Sequence, residues 1–226
     1  MMKKLLGLAM LASAATVGTT GVAAAEGTVT ANVAFTSNYV WRGITQSDGD
    51  FAVQGGADYA TDFFYAGAWA SSVDDFGADA SAELDVYAGI TPTLGPVTFD
   101  FGVVGYLYPG ADDIDFFELK GAASYSPTEA FTLGAAAFLA DEFAGVDGDE
   151  GLYLEANAAY AFSDAFSVSG AFGNQNVDGD LGESDYDTWN IGASYATHGF
   201  GFDLRYHEAD IPGSDEEISF TISREL

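Results

Sequence analysis

Period-two alternation runs along most of this chain. From Val29 the odd positions read Val29, Ala31, Val33, Phe35, Ser37, Tyr39 and Trp41, and the even ones Thr28, Thr30, Asn32, Ala34, Thr36, Asn38, Val40 and Arg42. One face is apolar and the other small or polar, the signature of a β-strand lying between two different environments. At about fifteen residues it would be far longer than the five or six usual in globular sheets. VTFDFGVVGYLY sets Val97, Phe99, Phe101, Val103 and Leu107 against Thr98, Asp100 and Gly102. SAELDVYAGI sets Ala82, Leu84, Val86 and Ile90 against Glu83 and Asp85, and GLYLEANAAYAF sets Leu152, Leu154, Ala156 and Ala158 against Glu155 and Asn157. EISFTISREL closes the chain in the same way.

A weak repeat organises these segments. Tyr59 and Phe63, Tyr125 and Phe131, Tyr160 and Phe166, and Tyr195 and Phe200 each bracket a tight turn, and ITPTLGPV (90–97) supplies a fifth turn without aromatics. Five short turns at this spacing make six hairpins and twelve strands. The other connections, around 47–50, 73–79, 109–115, 141–151, 177–187 and 209–217, are longer and acidic. Short turns at one end, long loops at the other and an even strand count predict an all-β fold, an antiparallel up-and-down transmembrane β-barrel. A sheet edge cannot be left in hydrocarbon, so such a sheet must close. A secreted β-sandwich would alternate too, but with shorter strands and more charge on its exposed faces.

The N-terminus fits that destination. Lys3 and Lys4 precede an apolar run from Leu5 to Ala15 and an A-x-A site at Ala23–Ala25. Residues 1–25 thus read as a secretory signal peptide, and 26–226 as the barrel. The apolar run is too short to span a membrane as a helix. There is no cysteine, hence no disulfide framework and no thiol chemistry. Six Lys and Arg stand against 35 Asp and Glu, which excludes a nucleic-acid footprint. Aromatic content of 15% argues for a folded chain rather than an acidic disordered tail.

Alternation assigns an inward face. Its pore-lining candidates are Arg42, Asp58, Glu83, Asp85, Asp100, Glu118, Lys120, Glu155, Asp203, Arg205 and His207, with Asn32, Gln54 and Asn157 among them. Acids dominate, so a water-filled lumen would concentrate cations. The same residues could instead form a structural network, with Glu118–Lys120 and Asp203–Arg205 as neutralising neighbours. The aromatics beside the short turns, Tyr59, Phe63, Tyr125, Phe131, Tyr160, Phe166, Tyr195 and Phe200, read as one interfacial girdle, and Tyr39 and Trp41 as members of the opposite one.

Other chemistries fit less well. Asn176, Asp178 and Asp180 have EF-hand spacing, but Leu181 replaces the turn Gly and Asp187 the bidentate Glu, so the motif fails. Ser194, His207 and Asp203 share the inward face and could form a hydrolase triad, yet no nucleophile-elbow motif accompanies them. A closed barrel acting through its loops, in adhesion or binding, is the other alternative. The sequence implies no cofactor and no metal site. The partners it implies are outer-membrane lipid, the barrel assembly machinery and small hydrophilic solutes or cations. No feature marks a homo-oligomer interface.

The stretch FTSNYVWRGITQSDGDFAVQGGADY (35–59), followed by YAGAW (65–69) and AELDVY (82–87), resembles the TorF family of porins, the Gcw_chp family of proteobacterial proteins. The motif S-x-Y-x-[WF]-R-G-x-[ST]-Q carries the resemblance, which extends over the mature chain. It implies a porin barrel in the Gram-negative outer membrane; with no nucleophile motif in the chain, no enzymatic activity is expected. The terminal Leu226 departs from the aromatic residue common at the end of such barrels, which predicts weaker terminal recognition during assembly.

Overall fold

The computed structural model describes residues 27–74, 80–146, 149–178 and 184–226; the expected signal peptide lies outside them. Twelve antiparallel strands form the barrel. They are β1 (Thr28–Thr36), β2 (Ala52–Ala60), β3 (Phe64–Ser72), β4 (Ala82–Ile90), β5 (Val97–Leu107) and β6 (Phe116–Tyr125). Then come β7 (Phe131–Ala140), β8 (Glu150–Ala161), β9 (Phe166–Asp178), β10 (Ser184–Thr197), β11 (Phe200–Ala209) and β12 (Glu217–Glu225). Each pairs with its sequence neighbours, and β1 pairs with β12 from Asn32↔Glu225 to Thr36↔Thr221. The sheet therefore closes, as the hydrophobic pattern requires. Among the described residues no helix is long and apolar enough to cross a membrane.

The outer surface is apolar over its whole circumference. Phe35, Val53, Phe101, Leu119, Leu154, Phe172, Ile191, Leu204 and Ile218 are all exposed, where a water-soluble sandwich would bury them. The aromatics beside the short turns also face outward: Tyr59, Phe63, Tyr125, Tyr160, Phe166, Tyr195 and Phe200 are exposed, and Phe131 pairs with Tyr160 on the same side. Inside, the polar partners of the alternation are buried or half-buried.

Glycine on the inner wall makes room for aromatic rings. Tyr65 lies against Gly89 and Gly102, Tyr87 against Gly67, and Tyr153 against Gly173, positions where any Cβ would strike the ring. The rings thus lie along the wall instead of standing across the lumen, a pairing that also fills the gap glycine leaves in a sheet.

The first long connection departs from the sequence expectation. The strand predicted to run through Arg42 ends at Thr36. The Thr36 hydroxyl donates to the Asn38 carbonyl (2.9 Å), and Asn38 Oδ1 accepts from the hydroxyls of Thr45 (2.7 Å) and Ser47 (3.3 Å). These local bonds turn the chain out of the wall, as Asn, Ser and Thr do when they satisfy nearby backbone and side-chain groups. A small separate hairpin follows, pairing Val40–Trp41 with Ile44–Thr45.

Candidate functional site

The small hairpin lies in the barrel mouth at the long-loop end, and its contacts go all the way round. The Tyr39 ring meets Trp69 of β3 edge-on (5.4 Å), and its hydroxyl donates to Glu83 of β4 (3.0 Å). Trp41 packs on Tyr106 of β5 and Phe116 of β6, and stacks on Phe143 of a loop turn. Arg42 reaches Glu118 of β6, Phe138 of β7, Tyr153 of β8 and Gln175 of β9. Gly43 abuts Thr188 of β10 and Ala209 of β11, and Asn38 donates to Glu217 of β12 (2.6 Å). Counting the two strands it joins, the segment touches every wall of the barrel.

Tyr39 and Trp41 are therefore not members of an outer girdle. Tyr39 is buried and Trp41 half-buried, both within the mouth. The break at Thr36 is the cause, because beyond it the odd positions no longer follow the wall.

Arg42 is the tip of this hairpin and the centre of its attachment. Its Nη1 and Nη2 donate to Glu118 Oε1 (2.8 Å) and Oε2 (2.6 Å), a bidentate pair, and Nη1 also donates to Gln175 Oε1 (2.8 Å). The guanidinium lies 4.2 Å from the ring centroids of both Trp41 and Tyr153. Arg42 is 4% exposed and Glu118 1%. Burial works against the guanidinium's charge, but the Glu118 carboxylate outweighs it and holds the pKa above its ordinary value. For Tyr39, burial first and then the Glu83 and Asp85 carboxylates push the phenol well above its usual range.

Backbone strain marks the same place. Arg42 (φ 47°) and Gly43 (φ 82°) form the two-residue turn that matches hairpin twist, which needs positive φ at both positions. Asn, Asp or Gly would be the unstrained choice for the first position. Arg is kept there by the Glu118, Gln175 and aromatic contacts of its side chain, so the strain is the cost of placing a guanidinium at the tip. Gly43→Ala would add a Cβ against Thr188 Oγ1 and Ala209 Cβ as well as backbone strain. It is expected to unseat the hairpin while leaving the barrel folded, measured as faster trypsin cleavage after Arg42 with unchanged heat-modifiable gel migration.

The other inward candidates form smaller groups. Lys120 bonds Asp100 (2.6 Å), to which Tyr65 also donates (2.8 Å). The expected Glu118–Lys120 pairing thus gives way to two separate pairs, because Arg42 takes Glu118 and register sets Asp100 within Lys120's reach. Arg205 pairs with Asp203 (3.2 Å) and donates to Asn190 and Ser169. Asp58 accepts from Tyr87 (2.5 Å), and Glu155 from Tyr153 and Asn157. Asn32, Gln54 and Asn157 are half-buried on the same face.

The candidate triad is not assembled. Ser194 donates directly to Asp203 (2.6 Å), whereas His207 Nε2 lies 3.0 Å from Ser219, on the opposite neighbour of its strand. Two of the EF-hand residues are otherwise engaged: Asn176 bonds Asp185 across β9 and β10, and Asp187 accepts from Asn174, while Asp178 ends β9 opposite Glu150 and Asp180 and Leu181 lie outside the described residues. Among the described residues no group of three or more His, Asp or Glu side chains could hold a metal ion.

The three salt bridges leave an imbalance. Seven carboxylates, Asp58, Glu83, Asp85, Asp100, Glu118, Glu155 and Asp203, face inward against Arg42, Lys120 and Arg205. Once each cation has its salt-bridge partner, Asp58, Glu83, Asp85 and Glu155 have no salt bridge among the described residues, and phenols and an amide serve three of them. Sequence reasoning found all seven, but not the inserted hairpin that divides them.

Solved structures of similar fold are bacterial outer-membrane proteins. One described as KdgM porin aligns over 88% of this chain and 98% of its own at a TM-score of 0.59, with 9% identity. NanC porin aligns over 87% and 98% at 0.60, with 10% identity. The COG4313 outer membrane channel from Pseudomonas putida F1 aligns over 90% and 97% at 0.54, with 11% identity. At such identities the likeness is one of fold. No curated protein matches the chain. Residues 20–224 match the family described as "Bacterial protein of unknown function (Gcw_chp)", and the chain belongs to that family.

Proposed function

We propose that this protein is an outer-membrane channel for passive diffusion of small hydrophilic solutes or ions, with a preference for cations. Residues 1–25 would direct export, and lipid and the barrel assembly machinery would be its partners in the membrane. The name TorF-family porin suits this reading. The observation that carries it is the sidedness of the closed barrel, apolar outside and charged within. The excess of lumenal carboxylates supports cation preference, since fixed charge inside low-dielectric walls focuses its field along the path. One structure of similar fold is described as "KdgM porin in complex with disordered oligogalacturonate". A polyanion of that kind would be repelled by the present lumen, so its solute is not carried over. The pairing of His207 with Ser219 rather than Ser194 weighs against an enzyme.

The seated hairpin favours a second reading, a closed barrel whose loops do the work. Planar-bilayer recording of the refolded protein under a salt gradient separates the two. Discrete conductance steps with a cation-selective reversal potential are expected. A folded barrel that conducts neither as the native chain nor with its hairpin removed would overturn the channel reading. Combining Asp85→Asn, Asp100→Asn and Glu155→Gln is expected to move the reversal potential toward zero; an unchanged value would remove these three from the selectivity mechanism.

A further inference from the structure

Of the four lumenal carboxylates without a salt bridge among the described residues, Asp85 stands apart. It is 0% exposed, and among the described residues no donor reaches either of its oxygens. Two residues before it, Glu83 is 2% exposed and is its neighbour on the same face of β4. The Tyr39 hydroxyl donates to Glu83, so its oxygen sits at the edge of the pair, and the buried Tyr108 phenol lies close enough to act on both carboxyl groups. Across the ladder, Asp85 faces Trp69 on one side and Tyr106 on the other. Tyr106 donates its hydroxyl hydrogen bond to Glu118 and Arg42 bonds the same carboxylate, and neither is hydrogen-bonded to Asp85.

Two neighbouring carboxylates in a buried site cannot both stay ionised without a positive charge between them. That charge is either one shared proton or a bound cation. Of the two we propose the cation: Glu83 and Asp85 hold a hard divalent ion of the calcium or magnesium class beneath the hairpin. Two carboxylates match its charge, and oxygen is the donor such ions take. With no third carboxylate or imidazole gathered there among the described residues, the phenolic oxygens of Tyr39 and Tyr108 and retained water would complete the shell. Because Tyr39 belongs to the hairpin and Glu83 to the wall, an ion at this point would also tie one to the other. The site would exist in a closed barrel as in an open one.

Terbium tests it without any need for conduction. Tb3+ occupies oxygen sites, and its emission is sensitised by nearby aromatic rings, here Tyr39, Trp69, Tyr106 and Tyr108. Full-length protein refolded in detergent, with folding checked by heat-modifiable migration, is titrated with Tb3+ and then with Ca2+. Sensitised emission that Ca2+ displaces is expected, with apparent affinity lowered about tenfold or more by Glu83→Gln combined with Asp85→Asn. Asp185→Asn with Asp187→Asn, at the acidic rim, is expected to leave it unchanged. Equal affinity in the native protein and the Glu83/Asp85 variant would assign the ion elsewhere and overturn the proposal. Absence of sensitised emission from the native protein would overturn it in favour of a shared proton. Should the double variant not fold, Asp85→Asn alone carries the same comparison, since its native oxygens accept no hydrogen bond from the described residues.

Discussion

Replacing residues 39–46 by a short glycine–serine link is expected to raise single-channel conductance by about twofold or more, because a twelve-stranded barrel lies between those filled by side chains and those that leave a channel. The segment touches nine of the ten strands that it does not itself join, Asn38 just before it supplying the contact to β12, so its removal clears the mouth while every wall–wall hydrogen bond remains. Arg42→Ala should give a partial version of the same result. It deletes the bidentate pair with Glu118 and the contact with Gln175, and leaves a 1%-exposed carboxylate uncompensated. Breaking a buried pair from one side costs about 3–5 kcal/mol, enough to shift the hairpin from seated to largely unseated. Arg42→Lys is not expected to restore closure, since an ammonium cannot bond both Glu118 oxygens in a fixed fork while lying flat on Trp41 and Tyr153. Conductance equal to the native value in the deletion would show that the hairpin does not limit the path.

The second large effect concerns the outer face. Phe172 is the central residue of β9 and is 53% exposed to the surroundings. In a bilayer, Phe172→Arg is expected to cost about 2–4 kcal/mol, the penalty of a cation at mid-depth on a barrel's lipid face. Its neighbour Ala171 points inward, and Ala171→Lys should refold within about 1 kcal/mol of the native protein. The check is urea unfolding of both variants in lipid vesicles, followed by tryptophan fluorescence. Equal stabilities would mean that the exposed apolar belt is not in contact with hydrocarbon.

Much of the architecture was legible because the barrel imposes a single rule on every strand. Alternation alone sent Glu83, Asp85, Glu118, Glu155 and Arg205 inward, and the bracketed turns counted the strands. The hairpin was hidden by the same rule. Residues 37–41 keep period two in phase with β1, since a small hairpin alternates as well as a long wall strand does. The signal that could have exposed it was Arg42-Gly43 flanked by Val40–Trp41 and Ile44–Thr45, a two-residue turn disguised by an Arg where Asn or Asp is expected. Which acid Lys120 chooses was also out of reach. Glu118 is nearer in sequence, but Asp100 is delivered by the register of β5 on β6, and no single strand encodes its neighbour's stagger. The resting of Tyr65 on Gly89 and Gly102 depends on the same hidden information.

The hairpin's circle of contacts also fixes when it can form. Its seat is built from β3 through β12, and the strand that leads into it is the one that must zip onto β12 to complete the ring. During folding, therefore, no partly assembled intermediate offers the whole seat: Glu118, Tyr153 and Gln175 can gather around Arg42 as β6 to β9 pair, but Asn38 meets Glu217 of β12 only where the two ends of the chain come together. The circle of contacts is complete only in the closed ring.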